Sequence, residues 1–224
     1  MVVPLRHSLV WLNSVGWEAI SAQVPQLHRT VVTQWCEADW PLVVRRHDVD
    51  CPSDQLCLGI ALAPLEGVKT RLPFRVDHHA VDRHQVPLSI PQVLCALPPH
   101  WRDAATRLHE AAQQADVSVQ VYGSAALQSI TGLAYLHSAS DLDILLTPST
   151  IQQLDDCVRL FTAFSKELPL DGEIIFGAGY AVAAKEWCKA AHQEGGFRVL
   201  TKHATGVALM RKDALLECPL CMPM

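Results

Sequence analysis

The chain has 224 residues, 50% of them hydrophobic and 18% charged, and a formal net charge of −5. That is enough apolar material for one large domain or two small ones, and it argues against a disordered chain. The acidic balance counts against non-specific nucleic-acid binding, which needs a basic footprint, and no run approaches the ~18 consecutive apolar residues of a membrane helix.

In chain order, the opening stretch MVVPLRHSLVWLNSVGWEAISAQ carries Arg6 and His7. Asn13, Ser14, Gly16 and Glu18 interrupt its apolar run, so it reads poorly as a secretory signal and a cytoplasmic protein is expected. PLVVRRHDV (Pro41 to Val49) and LCLGIALAPL (Leu56 to Leu65) read as strands joined by the turn-rich DCPSDQ. VKTRLPFRVDHHAV reads as a third strand, with Pro73 restricting its middle to an edge or a bulge. Pro87, Pro91, Pro98 and Pro99 then cluster, and a boundary there divides a β-rich N-terminal domain, residues 1–88, from a second domain, 89–224.

Beyond the boundary, helical and strand patterns alternate. WRDAATRLHEAAQQA reads as a helix and VSVQVYG as a short strand. SAALQSITG is a brief helix with Ser124 as N-cap and Gly132 as its stop. DLDILLT is a strand, and PSTIQQLDDCVRLFTAFSKEL a helix opened by Pro148 and Ser149. DGEIIF is a strand, GYAVAAKEWCKAA a helix, and FRVLTK and GVALM two further strands. The alternation defines an α/β or α+β layer.

Asp141 and Asp143 head an otherwise apolar strand. Residues i and i+2 of a strand share a face, so the two carboxylates project together and repel unless a positive charge lies between them. Mg²⁺, which takes one or two carboxylates plus substrate phosphates, meets that need. Upstream, Gly123 and Ser124 close one strand and open a helix, where free N–H groups make an anion site and glycine allows close approach. Against this, a lone D-x-D is also a common turn or capping pattern. The conjunction of strand, Gly-Ser, helix and then D-L-D on a strand is the more specific signal.

That conjunction, in YGSAALQSITGLAYLHSASDLDILL, resembles the polymerase-β type of nucleotidyltransferase. Within it, the chain is similar to the malonate decarboxylase holo-(acyl-carrier-protein) synthases, the phosphoribosyl-dephospho-CoA transferases. RHSLVWL, WPLVVRR, GIALAPLEGVKTRLPF, LDGEIIFGAGYAVAAKEW and VLTKHATGVAL carry the likeness along nearly the whole chain. The resemblance implies an α+β fold: a nucleotidyltransferase domain with a mixed sheet and flanking helices, after a small β-rich domain. It implies transfer of the 2'-(5''-triphosphoribosyl)-3'-dephospho-CoA group to a serine of the apo acyl-carrier subunit of malonate decarboxylase. A phosphodiester forms and pyrophosphate leaves.

In that family reading Asp141 and Asp143 bind Mg²⁺, while Gly123 and Ser124 grip the departing phosphates. A third carboxylate is implied on the later strand, and Asp171 and Glu173 both qualify, although Asp171-Gly172 alone reads as a turn. Lys202 would meet the phosphates, with Arg45, Arg46, Lys69 and Arg71 as alternatives; Arg45 and Arg46 cannot both face one side of a regular strand. Lys185, Glu186 and Lys189 read as a solvated helix face. Two rivals remain: an ATP-dependent nucleotidyltransferase with another hydroxyl acceptor, and a non-catalytic carrier-binding module.

The remaining features carry less chemistry. His78, His79 and His84 lack cysteines at zinc spacing, and His47 and His203 are read as neighbours of phosphate-binding cations. The six tryptophans are read as mostly core, with one available to stack on adenine. The eight cysteines are scattered, as suits reduced thiols rather than a disulfide framework, and no role is assigned to the CxxC at Cys218 and Cys221.

Overall fold

Two units make up the computed structural model, Met1–Pro87 and Leu88–Met224. The structure describes residues 4–65, 67–191 and 197–217, so the CxxC lies outside the described residues.

The first unit contains β1 (Leu9–Leu12), α1 (Ser14–Gln23), α2 (Arg29–Glu37), β2 (Leu42–Val44), β3 (Gln55–Ala61), β4 (Arg71–Asp77) and β5 (Val81–Gln85). The strands form one antiparallel sheet in the order β4-β3-β2-β1-β5. Alternation along β3 and β4 buries Leu56, Leu58, Ile60, Leu72, Phe74 and Val76. Pro73 stands on β4, an edge strand, where its missing N–H costs no ladder bond.

The sequence reading missed both helices of this unit. The Asn13 side chain caps α1 by accepting from the Gly16 N–H at 3.1 Å, and α1 buries Ile20, while α2 buries Val32 and Trp35. The expected strand over Pro41 to Val49 also ends early, at Val44. Beyond it Asp48 draws in two guanidiniums, accepting from Arg45 (Nη2, 2.7 Å) and Arg75 (Nε, 2.9 Å). These bonds hold the chain in a loop rather than an extended ladder.

The second unit contains β6 (Leu88–Ser89), α3 (Ile90–Val93), α4 (Pro99–Gln114), β7 (Ser118–Val121), α5 (Gly123–Thr131), β8 (Leu142–Thr147), α6 (Ile151–Phe164), β9 (Leu170–Ile175), β10 (Ala181–Ala183), α7 (Ala184–Ala191), β11 (Arg198–His203), β12 (Gly206–Arg211) and α8 (Lys212–Glu217). Its seven strands run in the order β12-β11-β10-β9-β8-β7-β6. All neighbours are antiparallel except β8 and β9, which are parallel and joined through α6. The sheet is therefore mixed, helices flank it, and the class is α+β.

The helices dock by spaced apolar residues: Trp101, Ala105, Leu108 and Ala112 of α4, and Leu154, Cys157 and Phe161 of α6, are all buried. Two element readings change. α6 begins at Ile151, with the Thr150 hydroxyl accepting from Gln153 N at 3.1 Å. The expected helix over 179–191 begins only at Ala184, because Ala181 to Ala183 form a strand between β9 and β11. There the two ladders satisfy the backbone and bury Val182 completely, which outweighs the helical preference of an alanine-rich run. Among the described residues, no helix is long and apolar enough to cross a membrane.

Candidate functional site

The turn from β7 into α5 is built around Gly123. Its φ of +67° lies in the left-handed region, where a Cβ is strained. A Cβ at this position would also stand 2.1 Å from Asp143 Oδ2 and 3.0 Å from its Cγ. The Tyr122 N–H donates to the Asp143 carbonyl at 3.1 Å, which locks the turn beside β8. Glycine is thus required twice over, and the Asp143 carboxylate lies against the first residue of α5. The positive end of that helix favours an anion there. Ser124 is not the N-cap expected from the sequence: Tyr122 holds that place, because α5 already begins at Gly123, and Ser124 follows in the first turn, half-buried.

The carboxylates on the two parallel strands share one face. Asp143 is the register partner of Asp171, and Leu145 of Glu173. Paired residues in a parallel ladder point to the same side, with strands about 4.8 Å apart. Asp141 sits one residue before β8, exposed. Asp171-Gly172 is not a turn: both lie inside β9, and a Cβ on Gly172 would come 2.3 Å from the Ile144 carbonyl oxygen. Glycine here lets β9 close on β8 and brings Asp171 level with Asp143.

The two acids of β9 differ in setting. Asp171 is about half exposed, and Lys185 Nζ lies 3.4 Å from its Oδ1. Glu173 has a side chain only 5% exposed, and Lys202 Nζ donates to its Oε1 at 2.7 Å. Lys202, on β11, thus reaches the carboxylate face and is engaged there by Glu173. Lys185, which the helical pattern consigned to solvent, is brought to Asp171 by the turn from β10 into α7. Glu186 accepts from the Leu200 N–H at 2.8 Å, so that helix face is only partly solvated. The His203 ring packs on Tyr180, centroids 4.8 Å apart.

Gly123 and Asp143 therefore meet at one end of the second unit's sheet, Ser124 follows in the helix, and Asp171 is level with Asp143 on the same face; Asp141 precedes β8, and Glu173 and Lys202 lie farther along that face, Lys202 level with Ile175 at the far end of β9. The other sequence candidates belong to the first unit. Arg45 is committed to Asp48 and to the Leu58 carbonyl, at 3.2 Å. Arg46, Lys69 and Arg71 are exposed. Of the tryptophans, Trp35, Trp101 and Trp187 are buried, whereas Trp11, Trp17 and Trp40 are half-buried.

A hard cation fits this donor set: Asp141 and Asp143 offer carboxylate oxygens at the start of one strand, next to a helix N-terminus able to hold phosphate. Among the described residues no three acids draw within 4.8 Å of one another.

A glycine turn that opens a helix against the Asp143 carboxylate, with Asp171 level with it on a mixed sheet, marks this α+β domain. Residues 88–213 match the family described as phosphoribosyl-dephospho-CoA transferase MdcG C-terminal domain, and residues 5–87 match the corresponding N-terminal domain. A phosphoribosyl-dephospho-CoA transferase of Xanthomonas campestris pv. campestris (strain 8004) is 32% identical over 212 residues, covering 94% of this chain and 95% of the relative. The protein of the same name from Bradyrhizobium diazoefficiens is 33% identical over 187 residues, 82% of this chain and 81% of that one. One from Xanthomonas axonopodis pv. citri is 33% identical over 214 residues, 94% and 95% of the two chains. No solved structure matches the chain significantly. The chain belongs to the phosphoribosyl-dephospho-CoA transferase MdcG family, and is a transferase.

Proposed function

We propose that this enzyme transfers the 2'-(5''-triphosphoribosyl)-3'-dephospho-CoA group to a serine hydroxyl of the apo acyl-carrier subunit of malonate decarboxylase. The hydroxyl oxygen attacks the α-phosphorus, a phosphodiester forms, the hydroxyl proton goes to a base, and pyrophosphate leaves. The observation that carries this reading is the contact of Gly123 with the Asp143 carboxylate, which joins an anion-binding helix start to an acid pair.

Asp141 and Asp143 would hold Mg²⁺, which when bound supplies neutralising charge for the triphosphate and the departing pyrophosphate. The N–H groups of Gly123 and Ser124 and the Ser124 hydroxyl bind phosphate oxygens, and the dipole of α5 adds to their pull. Asp171, half-exposed and level with Asp143, is the better placed of the two β9 acids to receive the serine proton. Glu173 holds the Lys202 ammonium on the site face, where it attracts phosphate. The six cysteines described are all free thiols, as suits work in the cytoplasm.

The test is intact mass spectrometry of the apo carrier after incubation with enzyme, Mg²⁺ and the CoA-derived donor. The expected product is the carrier plus one phosphoribosyl-dephospho-CoA. An AMP adduct from ATP, with no product from the CoA-derived donor, would end this reading. Asp141→Asn and Asp143→Asn should each keep the fold and lose about 10²-fold or more in rate. Unchanged modification by both folded variants would make the site non-catalytic.

A further inference from the structure

The loop between β2 and β3 holds a second constellation, remote in chemistry from the carboxylates. A ring nitrogen of His47 and the sulfurs of Cys51 and Cys57 all lie within 4.8 Å of one another. Among the described residues this is the one group of three or more such side chains gathered so closely. The spacing is H-x3-C-x5-C. It was not legible as a motif, because Cys57 lies within strand β3 and the loop must fold back to reach it.

We infer that His47, Cys51 and Cys57 form a three-ligand site for a thiophilic d10 cation, Zn²⁺ in the first instance. Two sulfurs and one imidazole suit borderline-soft Zn²⁺ rather than Mg²⁺ or Ca²⁺, which want oxygen. Zn²⁺ displaces both thiol protons to solvent, and two thiolates with a neutral imidazole balance its charge without any redox change. Ligand atoms around tetrahedral zinc stand ~3.8 Å apart, so small side-chain rotations close the site.

The surroundings are those of a ligand set. His47 Nε2 is 3.1 Å from the Gln55 carbonyl, which can only accept; in the neutral ring Nε2 therefore carries the proton and Nδ1 the lone pair. The Asp48 N–H donates to Cys57 Sγ at 3.4 Å, which fixes that sulfur beside the loop. Asp48 itself is occupied by Arg45 and Arg75, and Arg75 also holds Asp50 at 2.6 Å. Those acids are bound elsewhere, which leaves the fourth position to water or an incoming group.

A redox pair is the competing use of two adjacent thiols, and the setting opposes it. Reactive cysteines are exposed, low-pKa thiolates. Here Cys57 is 1% exposed and lies within β3, closed to an incoming thiol or oxidant. The consequence of zinc would be mechanical: a clip fastening the irregular loop to β3.

The experiment uses the full chain, purified under a phosphine reductant and titrated with Zn²⁺ alone in excess Mg²⁺, which occupies oxygen sites. Metal content is read by elemental mass spectrometry, and Co²⁺ in place of Zn²⁺ reports thiolate ligation by its charge-transfer absorption. The expected stoichiometry is about one Zn²⁺ per chain, falling at least tenfold in Cys51→Ser and in His47→Gln. Both are loop positions, so the fold is checked by circular dichroism and the partly exposed pair is used rather than buried Cys57. Cys218→Ser/Cys221→Ser and Cys95→Ser should keep the metal. Absence of stoichiometric Zn²⁺ overturns the proposal, as does its retention in both folded loop variants or its loss only with the C-terminal pair. A native mass two hydrogens light, with Cys51 and Cys57 disulfide-linked under the same reductant, also overturns it, in favour of a redox pair.

Discussion

Replacing Gly123 by alanine tests the central contact directly. The new Cβ would fall 2.1 Å from Asp143 Oδ2, so the carboxylate must retreat by more than ~1 Å to restore a normal contact. The left-handed backbone at φ +67° adds about 1–2 kcal/mol, and an off-rotamer Asp143 about 1 kcal/mol more. The sum, about 2–3 kcal/mol, should lower Tm by roughly 4–12 °C for a chain of this size. If Asp143 holds the metal, a displacement of that size should also cost about 10²-fold in rate. Gly132→Ala is the matched control: its φ is +71°, but nothing lies within 4 Å of the added Cβ. It should lose only the backbone cost, about 1–2 kcal/mol, and keep its activity. Carrier modification is followed by mass spectrometry, with thermal melts in parallel. Equal activity in the two folded variants would refute the role given to the Gly123–Asp143 contact.

Four further outcomes follow from the same geometry. Asp171→Asn should lose about 10²-fold in rate with little change in Tm, since the side chain is half-exposed; a selective loss in Glu173→Gln at unchanged stability would move the third acid to Glu173. Lys202→Met takes the ammonium away from a buried carboxylate and should cost up to about 3 kcal/mol by denaturant unfolding. Much of that should return in the Glu173→Gln/Lys202→Met double variant, and strict additivity would deny the coupling. Gly172→Ala forces a Cβ to 2.3 Å from the Ile144 carbonyl and should destabilise by about 3 kcal/mol or more, seen as a lower Tm; a wild-type melt would mean that β8 and β9 can part freely. Arg107 holds the Glu167 carboxyl below the ordinary range near 4.3. Because the folded value is depressed, its contribution is full above that range and fades as pH falls through the folded value. The Tm gap between wild type and Glu167→Gln should stay constant from neutral pH to about 5 and close below about 4. A gap that widened in acid would reverse the sign.

What the sequence alone determined was chiefly local. Short apolar runs mark β3 and β8, alternation marks β4, and spaced apolar residues mark α4 and α6, because those patterns arise within one element. The same holds for the Gly-Ser helix start and the paired acids at Asp141 and Asp143, whose chemistry lies in residue types one or two positions apart. Tertiary structure decided what depends on partners distant in sequence. It made Ala181 to Ala183 a strand, because two neighbouring ladders outbid helical preference. Parallel register set Asp171 beside Asp143, whereas Glu173 was drawn into a buried pair with Lys202, 29 residues away. Lys185 reached an acid that no periodicity connects to it. His47, Cys51 and Cys57 became neighbours where the loop, tied by the Asp48 ion pairs, folds back to β3. An element's own pattern fixes which face is apolar, but register, crossover and loop closure fix which polar groups meet on it.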